Sequence, residues 1–290
     1  MIAMKKRSLL LYPTFFVVAG YFAFHTIFTI PEQPEMVTIA DGAINLQLDC
    51  LHSHSRQSID QQGELTLLVW NIYKQNRRNW NTALSEYADG AQLVLLQEAS
   101  LDDPLKRWLA SEGWHAQQVN AFKAFNKSAG VLTLAKHKPV LACGYTQLEP
   151  WLRLPKSALY SEYPLSNGST LAVANIHAVN FTLGVQDYQQ QIDALVNALT
   201  KHQGPVILAG DFNSWNEERW STLQDIVEKL ALQEVVFQPD LRTRFITGRV
   251  LDHVFYRGLT LEKAKAPKTD ASDHNPLLVS FKISAQTAPK

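Results

Sequence analysis

Short apolar runs of strand length recur along the chain from residue 64 onward, each bounded by polar or turn-forming residues. "LTLLVW" (65–70), "QLVLLQ" (92–97), "AGVLTLA" (129–135), "PVLACGY" (139–145), "KSALYSEY" (156–163) and "TLAVANIHA" (170–178) come first. "PVILAG" (205–210), "VLDHVFY" (250–256), "LTLEKAK" (259–265) and "PLLVSFKI" (276–283) follow. Runs of this length, rich in Val, Ile and Leu, predict buried strands. Between some of them the period changes. Trp80, Leu84, Tyr87 and Ala88 keep helical spacing, as do Tyr188, Ile192, Leu195, Val196 and Leu199, and again Leu223, Ile226, Val227 and Leu230. Each set predicts an amphipathic helix with one face on a core. Many strands broken by a few irregularly placed helices favour two packed sheets flanked by helices over a doubly wound parallel sheet. We read one domain, residues 64–285.

The N-terminal part follows a different pattern. Residues 32–63 mix Pro, Glu, Gln, Ser, His and Asp without sustained periodicity and read as a linker. His52 and His54 lie within it as bystanders rather than ligands. Residues 9–30, within a hydrophobic segment 1–31, contain no Asp, Glu, Lys or Arg, with Lys5-Lys6-Arg7 before them and Glu32 and Glu35 after. A run of that length can span a bilayer as a helix. The charge asymmetry then keeps the N-terminus in the cytoplasm and puts the domain outside it. Pro13 and His25 weaken the span, and a cytoplasmic protein with an amphiphilic tail is the alternative.

Composition narrows the function by exclusion. Lys+Arg and Asp+Glu are each 27, so no overall field steers the chain to nucleic acid, and a nuclease would depend on a local patch. Only Cys50 and Cys143 carry thiols. Without framework spacing, two free thiols are expected.

The candidate chemistry lies where the strands stop. "LLVWN" ends at Asn71 and "VLLQE" at Glu98; "VANIH" carries Asn175 and His177, with Asn180 beyond; "LAGDFN" gives Asp211 and Asn213; "VLDHVF" holds Asp252; "ASDHNP" brings Asp273 and His274. Taken singly, most of these are turn or cap residues. Asp252 differs, because a carboxylate inside an apolar strand needs a partner, and a histidine is the natural one. Together, carboxylates and amides converging at one edge of a sandwich suit a hard cation such as Mg²⁺. No Cys/His cluster supports structural zinc.

With "LVWN", "LLQE", "NIHAVN", "LAGDFN", "LDHVFY" and "SDHNP" in this order, residues 64–285 resemble the endonuclease/exonuclease/phosphatase superfamily, also called DNase-I-like. "WNIYKQ", "NIHAVNFTLGV" and "FYRGL" are most similar to its bacterial YafD-type branch. The resemblance implies a four-layer α/β/β/α sandwich and Mg²⁺-dependent hydrolysis of a phosphoester, with Mn²⁺ as a substitute. Glu98 would be the main metal ligand, with Asn71 and Asp273. Asp211 would position or deprotonate the attacking water, and Asn213 would orient that water or the phosphate. His274, oriented by Asp252, would contact the phosphate, and His177 would hold it or assist the leaving oxygen. Asn180 matches an asparagine near the phosphate, while Arg153 and Lys156 stand where relatives place a phosphate-gripping cation. Where some nucleases carry an acidic residue after the first Asn, this chain has Tyr73 and Lys74, which puts a second metal or base there in doubt. Trp151, Phe181 and Trp215 are candidates to stack on bases or lipid headgroups. The expected substrate is a phosphodiester, in nucleic acid or a phospholipid headgroup. The alternatives are a small-molecule phosphomonoesterase and a non-catalytic binding module on the same fold. No protein partner is expected. The predicted location is the inner membrane with the domain in the periplasm.

Overall fold

The computed structural model describes residues 16–125, 127–182 and 184–284. In chain order the strands are β1 (Phe28–Thr29), β2 (Glu35–Ala40), β3 (Ala43–Gln47), β4 (Leu51–His52), β5 (Glu64–Asn71), β6 (Leu93–Ala99), β7 (His115–Ala124) and β8 (Lys127–Ala135). They continue with β9 (Leu141–Leu148), β10 (Pro155–Pro164), β11 (Thr170–His177), β12 (Val206–Asp211), β13 (Gln233–Glu234), β14 (Asp252–Arg257), β15 (Leu259–Lys265) and β16 (Leu277–Ile283). The helices that pack on them are α1 (Trp80–Ala88), α2 (Asp103–Glu112), α3 (Gln186–Lys201) and α4 (Glu217–Lys229).

Two sheets result. The first runs β15-β16-β5-β6-β8-β7-β2-β3, with β1 also on β7, and the second runs β13-β14-β12-β11-β10-β9-β4. Side chains alternate across each strand, so each sheet has two apolar faces to cover. Leu65, Leu67 and Val69 of β5 meet Leu171 and Val173 of β11 and Ile207 and Ala209 of β12 in the core between the sheets. The opposite face of β5, Leu68 and Trp70, packs under Leu84 of α1 and Leu105 and Leu109 of α2. The outer face of the second sheet, through Leu208 and Ile176, is covered by Ile192 and Leu195 of α3 and Leu223 of α4. This is the four-layer α/β/β/α sandwich.

Several expectations are corrected. Residues 32–63 are not a plain linker: β2 pairs antiparallel with β7 and carries β3 as the sheet's edge, while β4 pairs with β9. Their pattern was faint because β2 buries Met36 and Thr38 whereas Ile44 and Leu46 of β3 stay exposed. The cysteines are not free thiols. Cys50 and Cys143 form a disulfide with a Cα–Cα distance of 4.4 Å, pinning the segment before β4 to β9 across 93 residues of sequence. Such a long separation leaves no spacing signal to read. Strand β7 was missed because it buries Gln117, Gln118 and Asn120. Helix α2 was missed despite a capping Asp102, whose side chain accepts from Leu105 N–H, and a closing Gly113 at φ 68°.

Part of the expected anchor lies outside the described residues, at 9–15. Residues 16–27 are helical. Among the described residues no helix is long and apolar enough to cross a membrane.

Candidate active site

Strand parity explains why the polar strand ends meet. In β5 the residues facing the other sheet are 65, 67 and 69, and the next is Asn71. In β11 they are 171 and 173, then Asn175 and His177; in β12 they are 207 and 209, then Asp211. Val254 and Tyr256 of β14 face the same way, and two residues earlier so does Asp252. Strand pairing then sets them side by side: His177 is level with Asp211 on parallel β11 and β12, and Asp211 with Asp252 on antiparallel β12 and β14. Glu98 would break the rule, since Gln97 occupies the inward position of β6. A bulge between Leu96 and Ala99, with Glu98 itself at φ 53°, breaks the register there and lets its carboxylate reach the same opening. Gly210, at φ 140°, lets β12 lie close to β11, because a Cβ there would sit 2.0 Å from Ile176 O.

Asp211 is at the centre of the site. It is buried, and its Oδ2 accepts from Asn71 Nδ2 at 3.0 Å while its Oδ1 accepts from the Asn213 backbone N–H at 3.0 Å. His177 Nε2 lies 3.5 Å from Oδ2 on one side and His274 Nε2 lies 4.0 Å away on the other. Burial raises the Asp211 carboxyl to about 6, a rise that the facing His274 opposes and Asp252 reinforces. Burial alone would lower His274. The Asp252 carboxylate reverses this, with His274 Nδ1 2.7 Å from Asp252 Oδ2, and together with Asp211 and Asp273 it holds the imidazole up at about 10. His177 behaves oppositely. Burial, then the nearby Lys156 and Lys74 ammonium groups, push it well below the ordinary histidine value. The site therefore presents a carboxylate between one neutral and one cationic imidazole.

Glu98 holds the other side of the cleft. Its Oε2 accepts from Lys74 Nζ at 2.5 Å, and its Oε1 is 3.9 Å from both Lys156 Nζ and His177 Nε2. Lys156 Nζ also lies 3.1 Å from His177 Nε2, which as a neutral imidazole accepts from it. Asp273 and the Asn71 amide line the same cleft. Two donor sets could hold a metal. One is the buried group Asp211, Asp252 and His274, whose ligand atoms lie within 4.8 Å of one another. The other is Glu98, Asn71 and Asp273, all oxygen donors, with the Lys74 ammonium already on the first as a resident cation.

The structure gathers nearly all the residues singled out from the sequence. Asn71, Glu98, Lys156, His177, Asn180, Asp211, Asn213, Asp273 and His274 line one cleft, and Asp252 stands directly behind His274. Asn213 turns its amide Nδ2 to Ala178 O at 2.9 Å, so its contacts hold the Asp211 turn in place. The Asn180 amide oxygen accepts from Trp215 Nε1 at 2.9 Å. Arg153 is exposed and does not line the cleft.

Supporting residues were missed. Arg219, buried at the start of α4, donates to Val179 O, Asn213 O, Asn180 O and Thr182 Oγ1 at 2.7–3.1 Å, clamping two site loops together. Buried Glu149 accepts the Asn180 backbone N–H at 2.5 Å. Beneath the Asp211 turn, Ser214 Oγ is 2.8 Å from His253 Nε2, and His253 Nδ1 is 2.7 Å from Glu234 Oε1, which accepts from Arg242 at 2.6 Å. In the sequence Arg219 and Glu149 look like ordinary surface charges. His253 beside Asp252 was the one available signal, since a second polar residue inside an apolar strand also needs a partner.

Comparison with known proteins agrees with this fold. The chain is 65% identical over 280 residues to a UPF0294 protein of Vibrio vulnificus, covering 97% of this chain and 99% of the relative. An endonuclease/exonuclease/phosphatase from Beutenbergia cavernae shares the fold with a TM-score of 0.60 at 16% identity, covering 77% of this chain and 72% of the other. So does ANGEL2, a 2′,3′-cyclic phosphatase, at 0.61 and 16%, covering 76% of this chain and 95% of the other. Residues 68–274 match the Exo_endo_phos profile, and the chain belongs to the endonuclease/exonuclease/phosphatase family.

Proposed function

We propose that the chain is a divalent-metal-dependent phosphodiesterase that hydrolyses its substrate by in-line attack of water. The observation that carries this reading is Asp211, a buried carboxylate held by Asn71 and Asn213 between a neutral and a cationic histidine. With its pKa near 6, Asp211 is ionised at neutral pH and basic enough to take a proton from the attacking water. His274, kept protonated by Asp252, faces the phosphate with positive charge that need not reorganise during the reaction. Neutral His177 orients the phosphate, and Lys156 beside it adds charge.

Glu98, Asn71 and Asp273 form the better metal set, because Asp252 and His274 are already bonded to each other and a proton sits between them. Oxygen donors of this kind suit Mg²⁺ or Mn²⁺. Such an ion, when bound, neutralises charge on the non-bridging phosphate oxygens.

The Cys50–Cys143 disulfide and the basic residues ahead of the apolar stretch support a domain held outside the cytoplasm by residues 9–30.

The test is hydrolysis by the full chain in detergent of bis(p-nitrophenyl) phosphate, DNA, RNA and phospholipid, with Mg²⁺ or with chelator. Turnover that needs the metal and vanishes in Glu98→Gln is expected. Folded protein that binds Mg²⁺ yet turns over none of them would leave the binding-module reading. Activity confined to phosphomonoesters would replace the diesterase assignment.

A further inference from the structure

We propose that the rim of the cleft docks on a lipid bilayer and takes its phosphodiester from the headgroup layer; this rests on the phosphodiesterase reading. Three loops on one flank of the opening expose large apolar side chains. Trp151 and Leu152 lie between β9 and β10, Phe181 after β11, and Phe245 and Ile246 before β14, with Trp151 65% and Ile246 94% exposed. They do not stand apart from the site. Leu152, Asn180, Phe181 and Phe245 line both the cleft and an adjoining apolar hollow backed by Trp215, whose ring lies 5.6 Å from that of Phe245. Scattered exposed apolar residues are ordinary on a protein surface, but a contiguous set around one opening is not.

The opposite flank identifies the occupant. There β7 places Phe122 in the cleft wall, and the turn after it exposes Phe125, 75% accessible. This turn is where the uncharged N-terminal stretch joins the domain. Phe125 N–H donates to Ile27 O at 3.1 Å, β1 pairs Phe28 with Ala124 and Thr29 with Lys123, and the Phe28 and Phe122 rings are 6.0 Å apart. Residues 9–30 carry no charge, and the helical part that is described exposes Phe16, Val17, Tyr21 and Phe22. A segment suited to lipid thus ends at the lip of the cleft, and a bilayer that receives it meets the aromatic loops as well.

The chemistry of the rim favours lipid over a single nucleic-acid strand. Strand binding uses a groove of cations interleaved with aromatic stacking faces. Here the tip residues Leu152 and Ile246 have no stacking face, and the two arginines flanking the Ile246 turn are committed elsewhere: Arg244 to Asp240 and Arg249 to Glu217. Aromatic and aliphatic side chains exposed together are what burial at the headgroup–acyl boundary requires.

The full chain would be reconstituted into phosphatidylethanolamine–phosphatidylglycerol vesicles with brominated acyl chains, and its tryptophan quenching compared with that of Trp151→Phe. A quenched component missing from the variant is expected, and identical quenching in both overturns the docking. Hydrolysis is read separately with Ile246→Asp. A loss of at least tenfold on vesicle phospholipid, with bis(p-nitrophenyl) phosphate unchanged, is expected. Equal loss on both substrates, loss on an oligonucleotide alone, or no vesicle hydrolysis by an unmodified chain that cleaves the soluble diester overturns the headgroup source. If the unmodified chain cleaves no diester at all, the phosphodiesterase reading fails and the headgroup source fails with it, while quenching still decides the docking.

Discussion

The ammonium of Lys74 rests 2.5 Å from Glu98 Oε2, on the carboxylate we propose as the main metal ligand. It follows Asn71 in the stretch where the resemblance to some nucleases implied an acid, and its backbone adopts φ 52°. A cation supplied by the protein therefore competes with any divalent ion that binds at Glu98. Lys74→Met should tighten Mg²⁺ binding about tenfold, or ~1.4 kcal/mol, a small effect because the lysine is half exposed and screened. Isothermal titration would measure it, and unchanged or weaker Mg²⁺ affinity would place the metal away from Glu98.

The two ends of the pH profile belong to different groups. Activity should rise with pH through about 6 as Asp211 loses its proton and fall toward about 10 as His274 loses its own. Asp252→Asn removes the largest charge that holds His274 up, so burial is then opposed only by Asp211 and Asp273 and the alkaline limb moves to lower pH. The rate at pH 8 should drop by about 10²-fold or more. His274 also links pH to stability. Its folded pKa exceeds the unfolded one, so the stabilisation is complete below about 6.5 and is lost as pH rises through about 10. Urea melts at pH 6 and 9.5, for the unmodified chain and for Asp252→Asn, test this.

Reducing the disulfide should cost stability more than chemistry. Cross-linking residues so far apart in sequence restricts the unfolded chain, and Cys143→Ser should lower unfolding free energy by about 2–5 kcal/mol. Turnover at low temperature should survive, because neither cysteine lines the cleft.

Arg219 serves four acceptors in two loops, so Arg219→Met strands them in a buried place. A loss of about 3–5 kcal/mol is expected. In the fraction that stays folded, kcat should fall while Mg²⁺ affinity holds, since the clamp acts on residues 179–182 and 213 and not on Glu98.

Gly210→Ala tests the close approach of β12 to β11. The added methyl would press on backbone, which cannot yield as a side-chain tip can. Loss of soluble protein is expected, and a stable, active variant would refute the constraint.

Strand ends and the ordered motifs made most of the candidate site legible in advance, and strand parity explains why they converge. Asn71, His177, Asp211 and Asp252 each continue an inward alternation that the sequence displays, and an apolar strand gave Asp252 no choice but a partner. Glu98 was located by its motif; the bulge that turns it inward has no sequence mark. What escaped notice was polar burial. Strand β7 hides two glutamines and an asparagine, and Arg219 hides a guanidinium, so their hydropathy points the wrong way until the acceptors are seen. The disulfide and strands β2–β4 escaped for another reason: their partners lie far along the chain, and edge strands need not alternate cleanly.

The Gln97–Asn175 contact, Nε2 to Oδ1 at 2.7 Å, joins β6 to β11 just behind the cleft, and the Asn175 amide also reaches Leu96 O and Leu132 O in the opposite sheet. Asn71, Glu98 and Asp273 sit on the first sheet or just before its β16, whereas His177, Asp211 and Asp252 sit on the second. Neither layer alone contains a working half. On the proposed site assignment catalysis is a property of the seam, and a denaturant titration should extinguish turnover at the same midpoint as it separates the two layers.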